Sequence, residues 1–306
     1  MSMNLAADSL FVPVGQAGDE LHLKHLYDEP GGEPVLLVPG SVENGRIFYS
    51  RSLKGLAPYL AQAGYDVYVL DLRGRGQSRP HLGRGSQYGQ LEAITEDLPA
   101  AMQHVWQQSD QQRIHAMGHS WGGVLFTCML ARQPQWRNRV ASLTYWGSKR
   151  RATVQTAEAR LKIRLFWEAL CYGLTALYGY LPARAWRIGA DDETRRSHAA
   201  SATWTRPDAA FLDPDDGFDY ARALATFSLP PGLYLTGDGD LALGHRTDVE
   251  HFRQESLHRN SRLHRLGCAR GHRHDYGHID MLTHPDAVTD HFPLVLEFLR
   301  ASVASA

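Results

Sequence analysis

Five short runs, apolar at nearly every successive position, constrain this chain more than any other feature. They are Val35-Leu36-Leu37-Val38, Val67-Tyr68-Val69-Leu70, Ile114-His115-Ala116-Met117, Val140-Ala141-Ser142-Leu143-Thr144-Tyr145-Trp146 and Leu233-Tyr234-Leu235-Thr236. A strand covered on one face alternates apolar and polar residues. One that is apolar on consecutive residues is covered on both, as in a parallel sheet. Gly, Pro or Asp bounds the runs, and helix-like stretches near 51–63, 91–108, 121–133 and 285–303 lie between or after them. This alternation predicts an α/β fold: a doubly wound, mostly parallel sheet entered through an N-terminal β-hairpin near 10–27.

The alternation stops between about 148 and 231, where no strand-like run occurs and aromatic and charged residues are dense. Ile163, Phe166, Trp167, Leu170, Leu174, Leu177, Tyr178 and Leu181 follow helical spacing, with Arg164 and Glu168 off that arc. Gly173 and Gly179 predict two shorter helices there instead of one. The reading is a helical cap or lid of residues 148–231 inserted into a core formed by 1–147 and 232–306.

Gly118-His119-Ser120-Trp121-Gly122 directly follows one apolar run and opens a helical pattern. A Gly-x-Ser-x-Gly turn in that setting pushes the serine side chain into the open, its glycines sparing a crowded backbone. The Trp121 amide, at the helix start, can donate to an oxyanion developing on a substrate held by Ser120. A serine hydroxyl needs a base to take its proton and a third group to orient that base. After Leu233–Thr236 comes Gly237-Asp238-Gly239-Asp240, and Asp240 is preferred as the orienting acid because a few residues past the strand are needed to aim a carboxylate sideways. Asp238 is its rival. Gly271-His272-Arg273-His274-Asp275-Tyr276-Gly277-His278 offers three histidines, of which His278 precedes the final helix and is taken as the base. His272 and His274 read as solvated loop residues in a chain of 16 histidines, so no metal is expected.

These residues resemble the α/β-hydrolase family, in its acid-lipase and esterase branch. Gly64 to Ser78, with Asp71-Leu72-Arg73-Gly74-Arg75-Gly76-Gln77-Ser78, is similar to the family's Asp-x-Arg-Gly-x-Gly-x-Ser turn, and Gly277-His278-Ile279-Asp280 to its histidine loop. The resemblance implies a Ser-Asp-His triad, a nucleophile elbow and no cofactor. It places the second oxyanion amide at Ser41, although Pro39-Gly40-Ser41 stands where His-Gly is common. Dehalogenases and epoxide hydrolases of the family use an aspartate at the elbow, and polyester synthases a cysteine; Ser120 argues against all three.

The expected activity is hydrolysis of a carboxylic ester bearing an apolar acyl group, through an acyl-enzyme. Thioesterase, perhydrolase or carbon–carbon bond hydrolase chemistry would use the same triad, and a catalytically silent small-ligand binder would keep the same pocket. Phe48, Tyr145, Trp146, Phe166 and Trp167 are candidate pocket walls. A formal charge of −1 and a pI near 7.0 exclude a nucleic-acid footprint. The start lacks a signal-peptide pattern, no apolar stretch approaches the ~18 residues of a membrane span, and three scattered cysteines suit a reducing compartment. A cytoplasmic enzyme is expected. Lys149, Arg150, Arg151, Arg160, Lys162 and Arg164 open the inserted segment and allow a weak lipid-surface contact.

Overall fold

The structure, a computed structural model, describes residues 5–110 and 112–304. Among the described residues there are ten strands: β1 (Ala6–Pro13), β2 (Glu20–Tyr27), β3 (Pro34–Val38), β4 (Asp66–Asp71), β5 (Ile114–His119), β6 (Val140–Trp146), β7 (Tyr180–Leu181), β8 (Glu193–Thr194), β9 (Gly232–Gly237) and β10 (Ser261–Leu266). Eight form one sheet in the order β1-β2-β4-β3-β5-β6-β9-β10, antiparallel at β1–β2 and β2–β4 and parallel elsewhere.

The apolar runs become strands because both of their faces are covered. Leu36 and Val38 of β3 enter one core cluster while Val35 and Leu37 enter the other, and Tyr68 and Leu70 of β4 oppose Val67 and Val69 in the same way. Trp121–Arg132 packs on the first face and Leu56–Gln62 with Phe292–Ala304 on the second. Parallel strands share one carboxyl edge, and side chains just beyond it converge. The loops after β3, β5, β9 and β10 all leave at that edge.

A helical cap insertion lies between β6 and β9, and three expectations need correction around it. It contains the short antiparallel pair β7–β8, a strand signal too brief to read. Gly173 does not break its main helix: a π-helical stretch, Arg160–Cys171, continues into Tyr172–Tyr178 and ends at Gly179, whose φ is +81°. The π pattern bonds i to i+5, so the 3.6-residue stripe drifts out of phase. Ile163 and Leu174 are buried, but Leu170 and Leu177 face outward. In the basic opening, Lys149 and Arg150 are buried, and Arg150 is paired with Glu255. Among the described residues, no helix is long and apolar enough to cross a membrane.

Candidate active site

Ser120 sits between β5 and the helix Trp121–Arg132 at φ +49°, ψ −119°, a conformation that favours glycine. Such a residue costs about 1–3 kcal/mol and persists only where its surroundings fix it. Here the Ser120 amide donates to the Trp146 carbonyl at 2.8 Å. A Cβ on Gly118 would lie 2.2 Å from the Gly123 nitrogen, and one on Gly122 would lie 2.3 Å from the Val38 oxygen. Neither position can carry a side chain without the turn opening.

Asp240 follows β9 and is almost wholly buried. Its Oδ2 is 2.7 Å from Nδ1 of His278, and its Oδ1 accepts the amides of Leu243 (2.8 Å) and Ala242 (3.3 Å). Burial alone would raise the Asp240 pKa; the His278 charge and these hydrogen bonds outweigh it and hold the carboxyl far below its usual range. Asp238 points elsewhere, pairing with Arg265 at 2.7 Å. Ser120 and His278 line one cavity of about 600 Å³, together with Ser41 and Trp121. As the first helical residue, Trp121 carries an amide with no intrahelical acceptor.

The walls differ partly from expectation. Phe166 and Trp167 line the cavity, joined by Ile47, Ile163, Ile188, Leu243 and Ile279. Phe48, Tyr145 and Trp146 do not. Phe48 and Trp146 are fully buried in the cluster under the second sheet face, and Tyr145 stacks on Tyr234 in the other, because a side chain on a central strand or beneath it points into a layer and not past the strand end. Three cations, Arg46, Lys149 and Lys162, also line the cavity. Lys149 donates to the Ala242 carbonyl at 2.8 Å and stands 3.5 Å from Asp248; burial lowers its pKa against the pull of Asp248 and Asp240.

Sequence reasoning missed a buried pair beneath His278. His119 Nδ1 lies 2.7 Å from Glu43 Oε2, and its Nε2 lies 2.9 Å from the His278 carbonyl oxygen. A carbonyl accepts only, so Nε2 donates to it; opposite an ionised Glu43, which also only accepts, Nδ1 donates as well, and the pair favours a charged ring. Burial would lower its pKa, but the Glu43 charge reverses this and raises it. Burial would raise Glu43, and the His119 charge holds it low. The variable position of the serine pentapeptide was the available signal for His119; nothing local marks Glu43.

The histidine run is less solvated than expected. His272 is nearly buried, 3.1 Å from Asp290 and 2.9 Å from Nε2 of His264, because the loop folds back over the sheet edge. His272, Asp290 and His291, and separately His274, His284 and Asp286, are close enough to hold a metal ion. Neither group lines the cavity.

The family described as the alpha/beta hydrolase fold matches over residues 33–173. An esterase from Exiguobacterium antarcticum superposes with a TM-score of 0.61 at 16% identity, covering 96% of this chain and 100% of its own. The chain has the α/β-hydrolase fold. Among curated proteins, this hydrolase-fold chain is similar to Lipase 1 of Drosophila melanogaster, 27% identical over 155 residues (45% of this chain, 35% of the relative). It is also similar to the 2-hydroxy-6-oxononadienedioate/2-hydroxy-6-oxononatrienedioate hydrolase of Escherichia coli K12, 33% identical over 146 residues, or 46% of this chain and 45% of that protein. The hydrolase-fold chain thus spans less than half the length of the curated relatives it matches.

Proposed function

We propose that the chain is a serine hydrolase acting on an acyl bond through an acyl-enzyme on Ser120. The observation that carries this is the 2.7 Å bond from Asp240 to His278, with His278 on the same cavity as the strained Ser120 elbow. His278, held in one tautomer by Asp240, takes the Ser120 proton as the oxygen attacks a carbonyl. The Ser41 and Trp121 amides stabilise the oxyanion, the leaving group departs with the proton, and water repeats the cycle. We assign residues 148–231 as the cap. Three unpaired cysteines suit a cytoplasmic setting, and the exposed Leu161, Leu165 and Leu170 mark where a lipid surface would touch.

Two bond classes compete. A carboxylic ester or thioester with an apolar acyl group suits the apolar walls. Cleavage of a carbon–carbon bond beside a carbonyl is favoured by the Escherichia coli relative, whose match covers more of that protein than the lipase match does of the lipase. That relative is named for dioates, and Arg46, Lys149 and Lys162 would suit a carboxylate on the substrate. Rates on aryl esters, thioesters and a hydroxy-oxo-dienedioate separate the classes. A fluorophosphonate should label Ser120 alone, and Ser120→Ala should abolish labelling and lower turnover by ~10⁴ to 10⁶. Labelling that survives the substitution removes the reading.

A further inference from the structure

We propose that Arg75, braced by Glu193 of the cap, is the positioning residue that aims the Ser41 amide at the developing oxyanion. The inference rests on the serine-hydrolase reading. Arg75 is buried at the carboxyl edge of the sheet, four residues past the end of β4. Its Nη1 donates to the Gly40 carbonyl at 2.7 Å, and its Nη2 reaches both carboxylate oxygens of Glu193 at 2.5 Å. Arg75 is 6% exposed and Glu193 2%.

The physical link is the peptide plane. The Gly40 carbonyl and the Ser41 N–H belong to one trans peptide, in which they point in opposite directions. Holding the oxygen therefore fixes the direction of the hydrogen. Neighbouring groups leave that plane little freedom. The Gly40 amide donates to Glu43 Oε2 at 2.8 Å, and the Val42 amide to Glu193 Oε2 at 3.2 Å. The Val42 carbonyl accepts from the Asp191 amide at 3.0 Å. Among the described residues, no acceptor takes the Ser41 amide, and Ser41 lines the cavity beside Ser120. Gly40 approaches the nucleophile closely enough that an added Cβ would sit 2.9 Å from Ser120 Cβ.

Arg75 occupies a position that the Asp-x-Arg-Gly-x-Gly-x-Ser pattern leaves open, so the pattern itself does not call for it. Its bracing acid comes from the insertion, 118 residues away in the chain. The oxyanion donor is thus aimed only while the cap is seated: Glu193 holds Arg75, and Arg75 holds the peptide.

An oxyanion donor acts in the transition state more than on the bound substrate, so misaiming it should lower kcat and spare KM. The test uses Arg75→Met, Arg75→Lys and Glu193→Gln in the full chain, on whichever substrate class the parent turns over. Arg75→Met should lose about 10² to 10³ in kcat, as when an oxyanion donor is removed, with KM within about threefold. Affinity for a boronic acid that mimics the tetrahedral state should fall in step. The pH profile of kcat/KM should stay in place, because the His278–Asp240 pair is untouched. Arg75→Lys should recover part of the loss, and Glu193→Gln should fall between parent and Arg75→Met.

Arg150→Met, which removes another arginine–glutamate pair of a buried arginine, controls for stability and should lower the melting temperature without splitting kcat from KM. If Arg75→Met does not fold, Arg75→Lys and Glu193→Gln decide the matter. The proposal is overturned if the folded variants keep kcat within threefold, or if they lose kcat while binding the boronic acid as tightly as the parent. A parent that neither reacts with fluorophosphonate nor turns over any substrate instead defeats the hydrolase reading, a result distinct from either.

Discussion

Asp240→Asn isolates the orienting role of a carboxylate without removing bulk. In the native site, Oδ1 accepts two backbone amides and Oδ2 faces His278 Nδ1. An asparagine keeps its carbonyl oxygen on those amides, since an NH₂ there would meet two donors, and so turns its NH₂ toward Nδ1. The ring must then accept at Nδ1 and carry its proton on Nε2, the nitrogen that would deprotonate Ser120 in the proposed mechanism. This wrong tautomer loses ~10⁴ in kcat in a comparable triad, equivalent to ~5.4 kcal/mol of barrier. Asp238→Asn breaks only the Arg265 pair, which lies away from the cavity, so kcat should stay within about tenfold of the parent. Steady-state turnover and fluorophosphonate labelling of both variants, with melting curves to confirm folding, make the comparison. If Asp238→Asn falls by 10³ or more while Asp240→Asn stays within tenfold, the acid has been assigned to the wrong loop residue. If both are harmless, no triad operates.

Trp167→Ala should flatten the rise of kcat/KM with acyl length more than it lowers acetyl-ester turnover, since each enclosed methylene contributes ~0.8 kcal/mol; equal loss on every substrate would mean a packing role only. Burial pushes the pKa of His115, His258 and His291 down to about 4 each, while unfolded histidines titrate near ~6.5. The unfolded chain therefore takes up protons first. Stability should fall as pH drops below ~6.5 and keep falling to about 4, by roughly 1.4 kcal/mol per histidine at pH ~5.5. A melting temperature unchanged from pH 7 to 5 would contradict this. His119 has the opposite sign: its raised pKa adds stability that is complete below ~6.5 and lost as pH rises through the folded value. Glu43→Gln removes its counter-charge, so ¹⁵N resonances of His119 should show one ring proton at neutral pH where the parent shows two.

The legible parts of the fold were those where one local property forces the outcome. β3, β4, β5, β6 and β9 are buried on both faces, and their composition says so. β10 was invisible because Ser261-Arg262-Leu263-His264-Arg265-Leu266 is an edge strand that keeps its polar residues partly in solvent. The cap stripe failed for a different reason, since a π winding changes the period that the eye counts. At the site, Ser120 and His278 each sit in a short motif whose backbone geometry is local. Asp240 required only a choice between two loop positions. Glu43, His119, Arg75 and Glu193 are defined by what they meet across the fold, and a chain separation of 118 residues between Arg75 and Glu193 leaves no local trace.

The ties running from Asp191 and Glu193 to the loop after β3 bear on how such insertions can be exchanged. Asp191 accepts from Asn44 at 2.7 Å and from the Gly76 amide at 2.6 Å, so the insertion shares hydrogen bonds with two separate turns of the sheet. Grafting a foreign segment between β6 and β9 would leave Arg75 a buried cation without its counter-ion, a defect of about 3–5 kcal/mol before any substrate is met. Recombination among relatives should therefore succeed where the turns bearing Asn44 and Arg75 travel with the inserted segment as one heritable block, and fail where the segment is exchanged alone.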